Sequence, residues 1–207
     1  YTLIQKVTRP SLAHKNTEDQ SNTKRTFKIL DEADNTVYEV DDMDFIYSNV
    51  ATEMPPTFED EALKAQAVAS YTYFSRQRKL NRENPPDDLL GADFKVDSKN
   101  FNQYASKDRL KERWKDNFDT YFNKIKSAVD SVSGQVIKDN DDIIVCAYHA
   151  ISSGNTENSL DAFSSEKPYL TPVPSPGDLL APGYMTVKEF TKDEFVEILK
   201  SNFKDIT

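Results

Sequence analysis

The sequence predicts an α+β fold in which mixed helices and short antiparallel strands surround one core, followed by a long loop-rich C-terminal portion. Apolar residues recur at helical spacing along the chain, and two short stretches, at 26–40 and 135–145, have the pattern of paired strands. Only 37% of the residues are apolar, but 12 Phe, 10 Tyr and one Trp supply enough bulk for a core. A length of 207 residues suits one good-sized domain or two small ones.

The chain begins with a polar N-terminal arm. Residues 1–26 are poor in apolar side chains, above all at 13–25, which favours a mobile arm or a long loop. One domain is predicted over residues 27–207. It opens with two short strands around a turn at 33–35, because apolar positions flank residues with turn chemistry.

A Pro-Pro pair at 55–56 separates the next two predicted helices. The first helix follows the acidic pair at 41–42 and must end before the prolines, which cannot continue a helix. The second helix is predicted from 61 to about 80, with Thr57 as its N-cap. Because small residues are frequent in it and allow close packing, we expect it in the core.

The second half of the chain mixes loops with two further helices. Residues 81–108 are rich in loop-forming residues. A long amphipathic helix is predicted from 109 to about 132, with Gly134 as its stop. The chain is then rich in turns and prolines from 152 to 184, and a last helix is predicted to start at Thr191 with a capping box.

Charge and composition exclude several classes of function. Acidic residues outnumber basic residues 35 to 26, and the resulting net charge of −9 disfavours a nucleic-acid binder. The five glycines form neither a dinucleotide-binding motif nor a P-loop. A single Cys permits no internal disulfide, and no run of about 18 apolar residues is present to span a membrane.

Glu53 is the first candidate catalytic residue. It falls in the last turn of the first helix, where the negative end of the helix dipole disfavours a carboxylate, and Met54 and the Pro-Pro pair offer poor solvation. Both effects raise the pKa of a carboxyl group, and a general acid for glycosidic-bond cleavage needs such a raised pKa. The positive end of the next helix acts in the opposite direction. An ordinary surface glutamate near a helix end is the alternative.

Two blocks of residues, about 100 positions apart, resemble the stage II sporulation protein D family. The first block reads EMP at 53–55, EALKAQAVA at 61–69 and TY at 72–73. The second block reads SSGNTEN at 152–158 and PYL at 168–170, followed by Val173 and the Ser-Pro pair at 175–176. The resemblance covers roughly residues 36–200. It implies an α+β fold, a cell-wall location and lytic transglycosylase activity on peptidoglycan.

The resemblance carries the catalytic role to Glu53. Glycoside hydrolysis usually needs two carboxylates, whereas a lytic transglycosylase can work with one. The acid protonates the leaving oxygen, and the carboxylate then accepts the proton of the sugar's own 6-hydroxyl, which attacks C1 and closes a 1,6-anhydro ring. No water enters this reaction, and it requires no cofactor.

The resemblance also places Lys64 and Gln66 in the active-site region. Residues two apart on an ideal helix point about 200° apart, so both cannot face one cleft equally. Gln66 shares a helix face with Ser70 and Tyr73, and we expect Gln66 and Tyr73 to bind sugar hydroxyls. Lys64 is expected to bind substrate as well, for example a muramic lactyl carboxylate. The alternative for Lys64 and Gln66 is that they are plain helix residues.

Tyr71 departs from the pattern of the family. The family commonly carries Arg at this position. If that Arg contacts substrate or orients a carboxylate, a tyrosine cannot replace its charge. The departure weakens the detail of the site but leaves the assignment of Glu53 in place.

The second block supplies further candidate substrate-binding residues. Ser152, Ser153, Gly154 and Thr156 combine hydroxyls with a glycine-supported turn, which suits hydrogen bonding to sugar hydroxyls and N-acetyl groups. The alternative is a loop whose hydroxyls bond its own backbone. Tyr169 is interpreted as a sugar-stacking ring, with a core tyrosine as the alternative.

Cys146 and His149 form a candidate metal pair. Their C-x-x-H spacing gives half of the four ligands that a closed zinc site uses. Residues three apart in a strand face opposite sides, so the pair needs a bend between them. A buried free Cys and a hydrogen-bonded His are the alternative.

The resemblance also implies partners and a location. The expected substrate is the glycan strand of peptidoglycan, cut at the MurNAc-GlcNAc bond after a stage II sporulation protein P-type amidase has removed the stem peptides. The expected place is extracytoplasmic, at the cell wall during sporulation engulfment, with the native protein anchored in the mother-cell membrane and facing the intermembrane space. The alternative function is a non-catalytic glycan-binding module that enhances a cell-wall amidase. A third reading, an adhesion domain, is disfavoured by the density of the first block.

Overall fold

The computed structural model describes residues 11–12 by their backbone and residues 25–203 in full. The chain divides into two compact units, residues 1–148 and 149–207. Most of the predicted arm over 1–26 lies outside the described residues. The prediction of one domain over 27–207 stays a prediction.

The first unit contains six strands and four helices among its described residues, and the predicted α+β class is confirmed. In chain order these are β1 (Ser11–Leu12), β2 (Thr26–Asp31), β3 (Thr36–Asp41), α1 (Asp42–Glu53), α2 (Asp60–Glu83), β4 (Phe94–Val96), α3 (Lys107–Trp114), α4 (Phe118–Ser131), β5 (Ile137–Asp139) and β6 (Asp142–Ile143). The strands form two three-stranded sheets, ordered β3-β2-β4 and β1-β5-β6.

The predicted first hairpin is confirmed as β2 and β3, which pair antiparallel from Thr26 opposite Asp41 to Asp31 opposite Thr36. Strand β4 was not predicted, because a three-residue strand is too short to show alternation within the polar stretch 81–108. It pairs with β2 in parallel, so this sheet is mixed rather than purely antiparallel.

Helix α1 follows its sequence signals at both ends. The Asp41 carboxylate accepts hydrogen bonds from the Met43 and Asp44 amides and caps the helix, and α1 ends before the Pro-Pro pair. Helix α2 begins at Asp60 rather than after Thr57, so the predicted N-cap is wrong. The amide of Phe58 donates to the carbonyl of Pro55 at 3.1 Å, which places Thr57 inside a turn instead.

The long helix predicted from 109 to about 132 is two helices, α3 and α4. A short 3-10 turn at Lys115–Asn117 separates them, and Lys115 has a φ of 49°, in the left-handed region. Trp114 and Phe118 are both buried on either side of the break. Because Trp114 and Phe118 are spaced as in one continuous helix, the apolar periodicity of the sequence does not show the break between α3 and α4.

The core of the first unit is aromatic. Phe27 of β2, Phe45 of α1, Phe74 of α2 and Phe94 of β4 form a connected cluster whose neighbouring ring centroids lie 4.5–5.4 Å apart. Three of these four contacts are edge-to-face, a geometry that stabilises cores beyond the area they bury. Helices α1, α2 and α4 pack against one another around this core, which fixes the ends of α1 and α2.

The second unit is rich in turns, as its prolines predicted. It contains α5 (Ser159–Phe163), a 3-10 turn at Pro176–Leu180 and α6 (Lys192–Asn202). The predicted capping box is confirmed, since Thr191 and Glu194 bond reciprocally at the start of α6. In the described parts of the chain, 11–12 and 25–203, no helix is long and apolar enough to cross a membrane.

Candidate active site around Glu53

Glu53 is the last residue of α1, as its sequence context predicted. The residue is exposed, but protein surrounds enough of its carboxyl group that partial burial raises the pKa above the ordinary 4.5. Among the residues that the structure describes, no ion pair or hydrogen bond engages this carboxylate. Within the described chain it is therefore an accessible acid with a raised pKa and no permanent partner.

Two polar residues of α1 hold the end of this helix in place. The Ser48 hydroxyl donates to the carbonyl of Ala105 at 2.6 Å and accepts from the amide of the same residue at 2.8 Å. The side-chain amide of Asn49 donates to the carbonyl of Gln103 at 2.8 Å. Both side chains are buried. These bonds tie the last turns of α1 to the 103–105 segment and so fix the direction of Glu53.

A polar stripe runs along one face of α2, formed by Gln66, Ser70 and Tyr73 at positions i, i+4 and i+7. The Gln66 amide donates from Nε2 to the Ser70 Oγ at 3.2 Å. Gln66 is 9% exposed and Ser70 is fully buried. Gln77, one turn further, donates from Nε2 to the Tyr73 hydroxyl at 3.3 Å. The face of α2 that carries Gln66 therefore presents uncharged polar groups, which are hydrogen-bonded to one another in pairs.

Tyr148 interacts electrostatically with Glu53 and with two residues of this polar stripe. Burial raises the pKa of Tyr148 to about 12, and the charge of Glu53 adds to the shift, while hydrogen bonding by Ser70 and Gln66 opposes it. The ring is 40% exposed. Glu53, Gln66, Ser70 and Tyr148 thus belong to one neighbourhood, formed by the end of α1, the face of α2 and the segment after β6.

Sequence reasoning did not select Tyr148. The one signal for it was its position inside the 145–149 segment, which was singled out for Cys146 and His149. A lone tyrosine after a short strand carries no periodicity, so only the folded chain shows what lies beside it.

Lys64 lies on a different side of α2 from Gln66, as the helical geometry predicted. Its ammonium group contacts the Glu61 carboxylate at 2.6 Å, and the hydrogen bond from that pair raises the pKa of Lys64. The role of Lys64 in substrate binding stays a prediction.

Tyr71 is a core residue. It is 6% exposed, packs its ring near Phe27 and donates its hydroxyl to Asp42 Oδ2 at 2.8 Å. Burial raises the pKa of Asp42, while the hydrogen bond from Tyr71 lowers it. Tyr71 therefore orients a carboxylate in the first turn of α1, although it supplies no charge.

Cys146 and His149 differ in their surroundings. Cys146 is 8% exposed, and burial raises the pKa of its thiol to about 11, which disfavours the thiolate that zinc binds. His149 is exposed. Nowhere in the described parts of the chain do three or more His, Cys, Asp or Glu side chains gather as a metal site. Two donors fit a closed zinc site poorly, and the zinc pair stays a prediction.

The serine turn of the second unit, residues 152–156, bonds largely to its own loops. Asp178 accepts from the amide and the hydroxyl of Ser152, and these bonds lower the pKa of Asp178. The Gly154 amide donates to the Ser152 hydroxyl at 3.2 Å, and Thr156 Oγ1 accepts from the amide of Val173 at 2.9 Å.

These bonds match the alternative in which the hydroxyls support the loop. Ser153 is exposed, and its carbonyl accepts from the Tyr184 hydroxyl at 3.1 Å. Gly154 has a φ of +100°, which a residue with a side chain rarely adopts. Tyr169 is half-buried. The substrate contacts expected of Ser152, Ser153, Gly154, Thr156 and Tyr169 stay predictions.

Comparisons with known proteins match this chain to one family. The family model described as Stage II sporulation protein matches residues 30–138, more than half of the chain, which includes Glu53 and the polar stripe. Stage II sporulation protein D of Bacillus subtilis (strain 168) is 37% identical over 158 residues, which cover 75% of this chain and 45% of that protein. The protein of the same name from Bacillus amyloliquefaciens is 33% identical over 156 residues, or 75% of this chain and 44% of that protein. The chain thus spans less than half the length of these relatives. It belongs to the stage II sporulation protein D family.

Proposed function

We propose that this sporulation protein is a peptidoglycan lytic transglycosylase, which cleaves the MurNAc-GlcNAc bond of denuded glycan strands and leaves 1,6-anhydro-MurNAc ends. The observation that carries the proposal is the state of Glu53. Its carboxyl group is accessible and has a raised pKa, and no cation among the described residues pairs with it. A carboxylate fixed in a salt bridge would be unable to donate a proton.

Glu53 acts in both steps of the proposed reaction. Its raised pKa keeps a larger fraction of the group protonated, so it can donate to the glycosidic oxygen as the bond breaks. The carboxylate that results then accepts the proton of the 6-hydroxyl while that oxygen attacks C1. The proton returns to Glu53, which is ready for the next bond.

A single carboxylate supports ring closure over hydrolysis. Hydrolases place a second carboxylate about 5–9.5 Å from the acid, either as nucleophile or as base for water. Burial is the cause that raises the pKa of Glu53. The groups placed near it, Gln66, Ser70 and Tyr148, are uncharged.

These uncharged neighbours also support a glycan strand as the substrate. The polar stripe of α2 offers amide and hydroxyl groups, which suit sugar hydroxyls and acetamido groups. From the family resemblance we also propose that a stage II sporulation protein P-type amidase first strips the strands. The proposed setting is the cell wall during engulfment, outside the cytoplasm, with the native protein anchored in the mother-cell membrane.

The second candidate function is a non-catalytic module that binds glycan and enhances a cell-wall amidase. The identity of residue 71 favours it. The family commonly has Arg there, whereas Tyr71 is neutral and engaged with Asp42. If that charge is essential for cleavage, this chain would retain binding alone.

The Glu53→Gln variant separates the two functions. Wild-type protein incubated with denuded glycan should release anhydro-ended products, detected by mass spectrometry. In Glu53→Gln the rate should fall by at least about 100-fold, while glycan binding persists. Glu83→Gln is the matched control, because Glu83 is exposed at the far end of α2, about 25 Å along the helix from Gln66. Unchanged product release in Glu53→Gln would remove Glu53 from the reaction. Binding without products from the wild type would favour the amidase-enhancing module.

A further inference from the structure

Two arginines of α3 lie over one aromatic ring. The guanidinium carbons of Arg109 and Arg113 lie 4.9 and 5.1 Å from the ring centroid of Phe101, which precedes the helix. The two arginines are one helical turn apart, so they project from the same side of α3. We call these three side chains the Arg–Phe patch. Stacking on a ring uses the faces of the guanidinium groups, so their N–H edges stay available to an anion.

The loop before α3 holds Phe101 in place. The φ of Phe101 is 56°, in the left-handed region, which a bulky side chain rarely adopts. Asp97 and Asn102 exchange backbone hydrogen bonds at 3.0 and 3.1 Å across the loop. The Asp97 carboxylate also accepts from the backbone amide and the side-chain amide of Asn100, at 3.1 and 2.6 Å. Positions that the surrounding structure holds in such a conformation cluster at functional sites.

Neither arginine of the patch pairs with a carboxylate in the described chain. Arg109 donates from Nη2 to the carbonyl of Lys99 at 3.1 Å. Arg113 is exposed, and within the described residues it makes neither a hydrogen bond nor an ion pair. Asp108, on the same helix, pairs instead with Lys111 at 3.5 Å. In a chain with a net charge of −9, two neighbouring guanidinium groups without a carboxylate partner indicate an anion from outside the protein.

The Arg–Phe patch adjoins the segment that packs against the end of α1. Asn49 and Glu53 are one helical turn apart, on the same face of α1. The side-chain amide of Asn49 donates to the carbonyl of Gln103 at 2.8 Å. Phe101 lies two residues before Gln103, a distance of at most about 7 Å along the chain. The patch is therefore connected, through Gln103, to the helix face that ends at Glu53.

We propose that the Arg–Phe patch binds the lactyl carboxylate of a MurNAc residue in the glycan strand bound beside Glu53, and so selects denuded strands. The inference rests on the proposed function for its substrate. Arg109 and Arg113 bind this carboxylate through their N–H groups, and Phe101 positions both guanidinium groups. The patch determines which strands bind and takes no part in the proton transfers of Glu53.

The lactyl carboxylate distinguishes denuded strands from intact ones. An amidase that removes the stem peptide hydrolyses the amide bond of the lactyl group and leaves a free carboxylate on each MurNAc. In an intact strand the same position is an uncharged amide. A local cationic patch also offsets the repulsion between an acidic protein and an anionic strand. Lys64, the other cation considered for this carboxylate, already contacts the Glu61 carboxylate at 2.6 Å.

Two glycans that differ only in the lactyl carboxylate test the patch independently of cleavage. The Glu53→Gln variant, which should not cut, is titrated by calorimetry with denuded strands and with the same strands after methyl esterification of their carboxylates. Adding Arg113→Gln should weaken binding of the denuded strands by about fivefold, the upper end for one exposed ion pair, and leave binding of the esterified strands within about twofold.

Lys111→Gln is the matched control for charge. It removes one positive charge from another face of α3, where the Lys111 ammonium lies over the Phe118 ring. It should change neither affinity by more than about twofold. Arg109→Lys keeps the charge but loses the planar fork, so it should weaken binding of the denuded strands by about twofold to threefold. Circular dichroism checks that every variant folds.

Strands that keep their stem peptides distinguish the lactyl carboxylate from the carboxylates of the peptides. Arg113→Gln should leave binding of these intact strands within about twofold. Equal losses for denuded and esterified strands, an equal loss for intact strands, no loss in Arg113→Gln, or no binding of denuded strands at all would overturn the inference. If the wild type makes no anhydro products while Arg113→Gln still shows the selective loss, the proposed function fails and the inference stands.

Discussion

The Ser48→Ala substitution tests whether the 103–105 segment holds the end of α1. Ser48 makes two hydrogen bonds to the backbone of Ala105, at 2.6 and 2.8 Å, and both residues are buried. Alanine removes both bonds and leaves a buried amide and a buried carbonyl unsatisfied. Each such group costs about 1–3 kcal/mol, so the free energy of unfolding should fall by about 2–6 kcal/mol. That is a large part of the 5–15 kcal/mol typical of a domain.

Urea denaturation measures this loss, with the slope of the unfolding transition expected to stay unchanged. Ser127→Ala is the control, because Ser127 is exposed on α4 and should change the stability by less than about 0.5 kcal/mol. Because α1 carries Glu53, the folded fraction of Ser48→Ala should also cleave glycan more slowly. If Ser48→Ala lowers the free energy of unfolding no more than Ser127→Ala does, the stabilising role of the Ser48–Ala105 hydrogen bonds is refuted.

Three further predictions concern titration and charge. Because the proposed cleavage needs protonated Glu53, kcat/KM should decline as pH rises through the raised pKa of this residue, above 4.5. A pH-rate profile without a Glu53-dependent basic limb would contradict this. Burial also makes the folded state favour the protonated form, so the stability that Glu53 contributes is present at low pH and lost as pH rises. The buried Asp93 carboxylate accepts hydrogen bonds from Arg82 at 2.6 and 2.8 Å and from the Lys28 amide at 2.9 Å. Asp93→Asn should therefore lower the free energy of unfolding by about 2–3 kcal/mol in urea titrations. An unchanged midpoint of the urea transition would speak against it. Cys146, whose pKa is about 11, should react with iodoacetamide at pH 8 about 100-fold more slowly than free cysteine, as followed by mass spectrometry; fast labelling would show an accessible thiolate.

The sequence predicted the elements whose signals are local. The prolines at 55–56 mark the end of α1, and Asp41 and Thr191 act as caps at the starts of α1 and α6. The start of α2 was misplaced because Thr57 is drawn into a turn with Pro55 and Phe58. Strand β4 was missed because its pairing with β2 links residues far apart in the chain. Propensity and periodicity describe a local segment and cannot report such a partner.

The candidate site divides in the same way. Helical spacing placed Gln66, Ser70 and Tyr73 on one face of α2. For Glu53 the sequence indicated two opposing effects on the pKa, and the raised pKa agrees with poor solvation of the carboxyl group, since burial causes it. Tyr148 was missed, because it joins the site from a segment about 90 residues after α2 begins and has no local pattern. Side chains that meet only in the folded chain need the structure to be found.

The most direct test of the central claim follows the oxygen atoms of the products. Denuded glycan strands are digested in heavy-oxygen water, and the products are weighed by mass spectrometry. Ring closure by the sugar's own 6-hydroxyl, with Glu53 as acid and then base, predicts anhydro-ended products that lack one water and carry no solvent oxygen. Products that contain one heavy oxygen at the reducing end would mean that water attacks C1. The single-carboxylate account of Glu53 would then be contradicted.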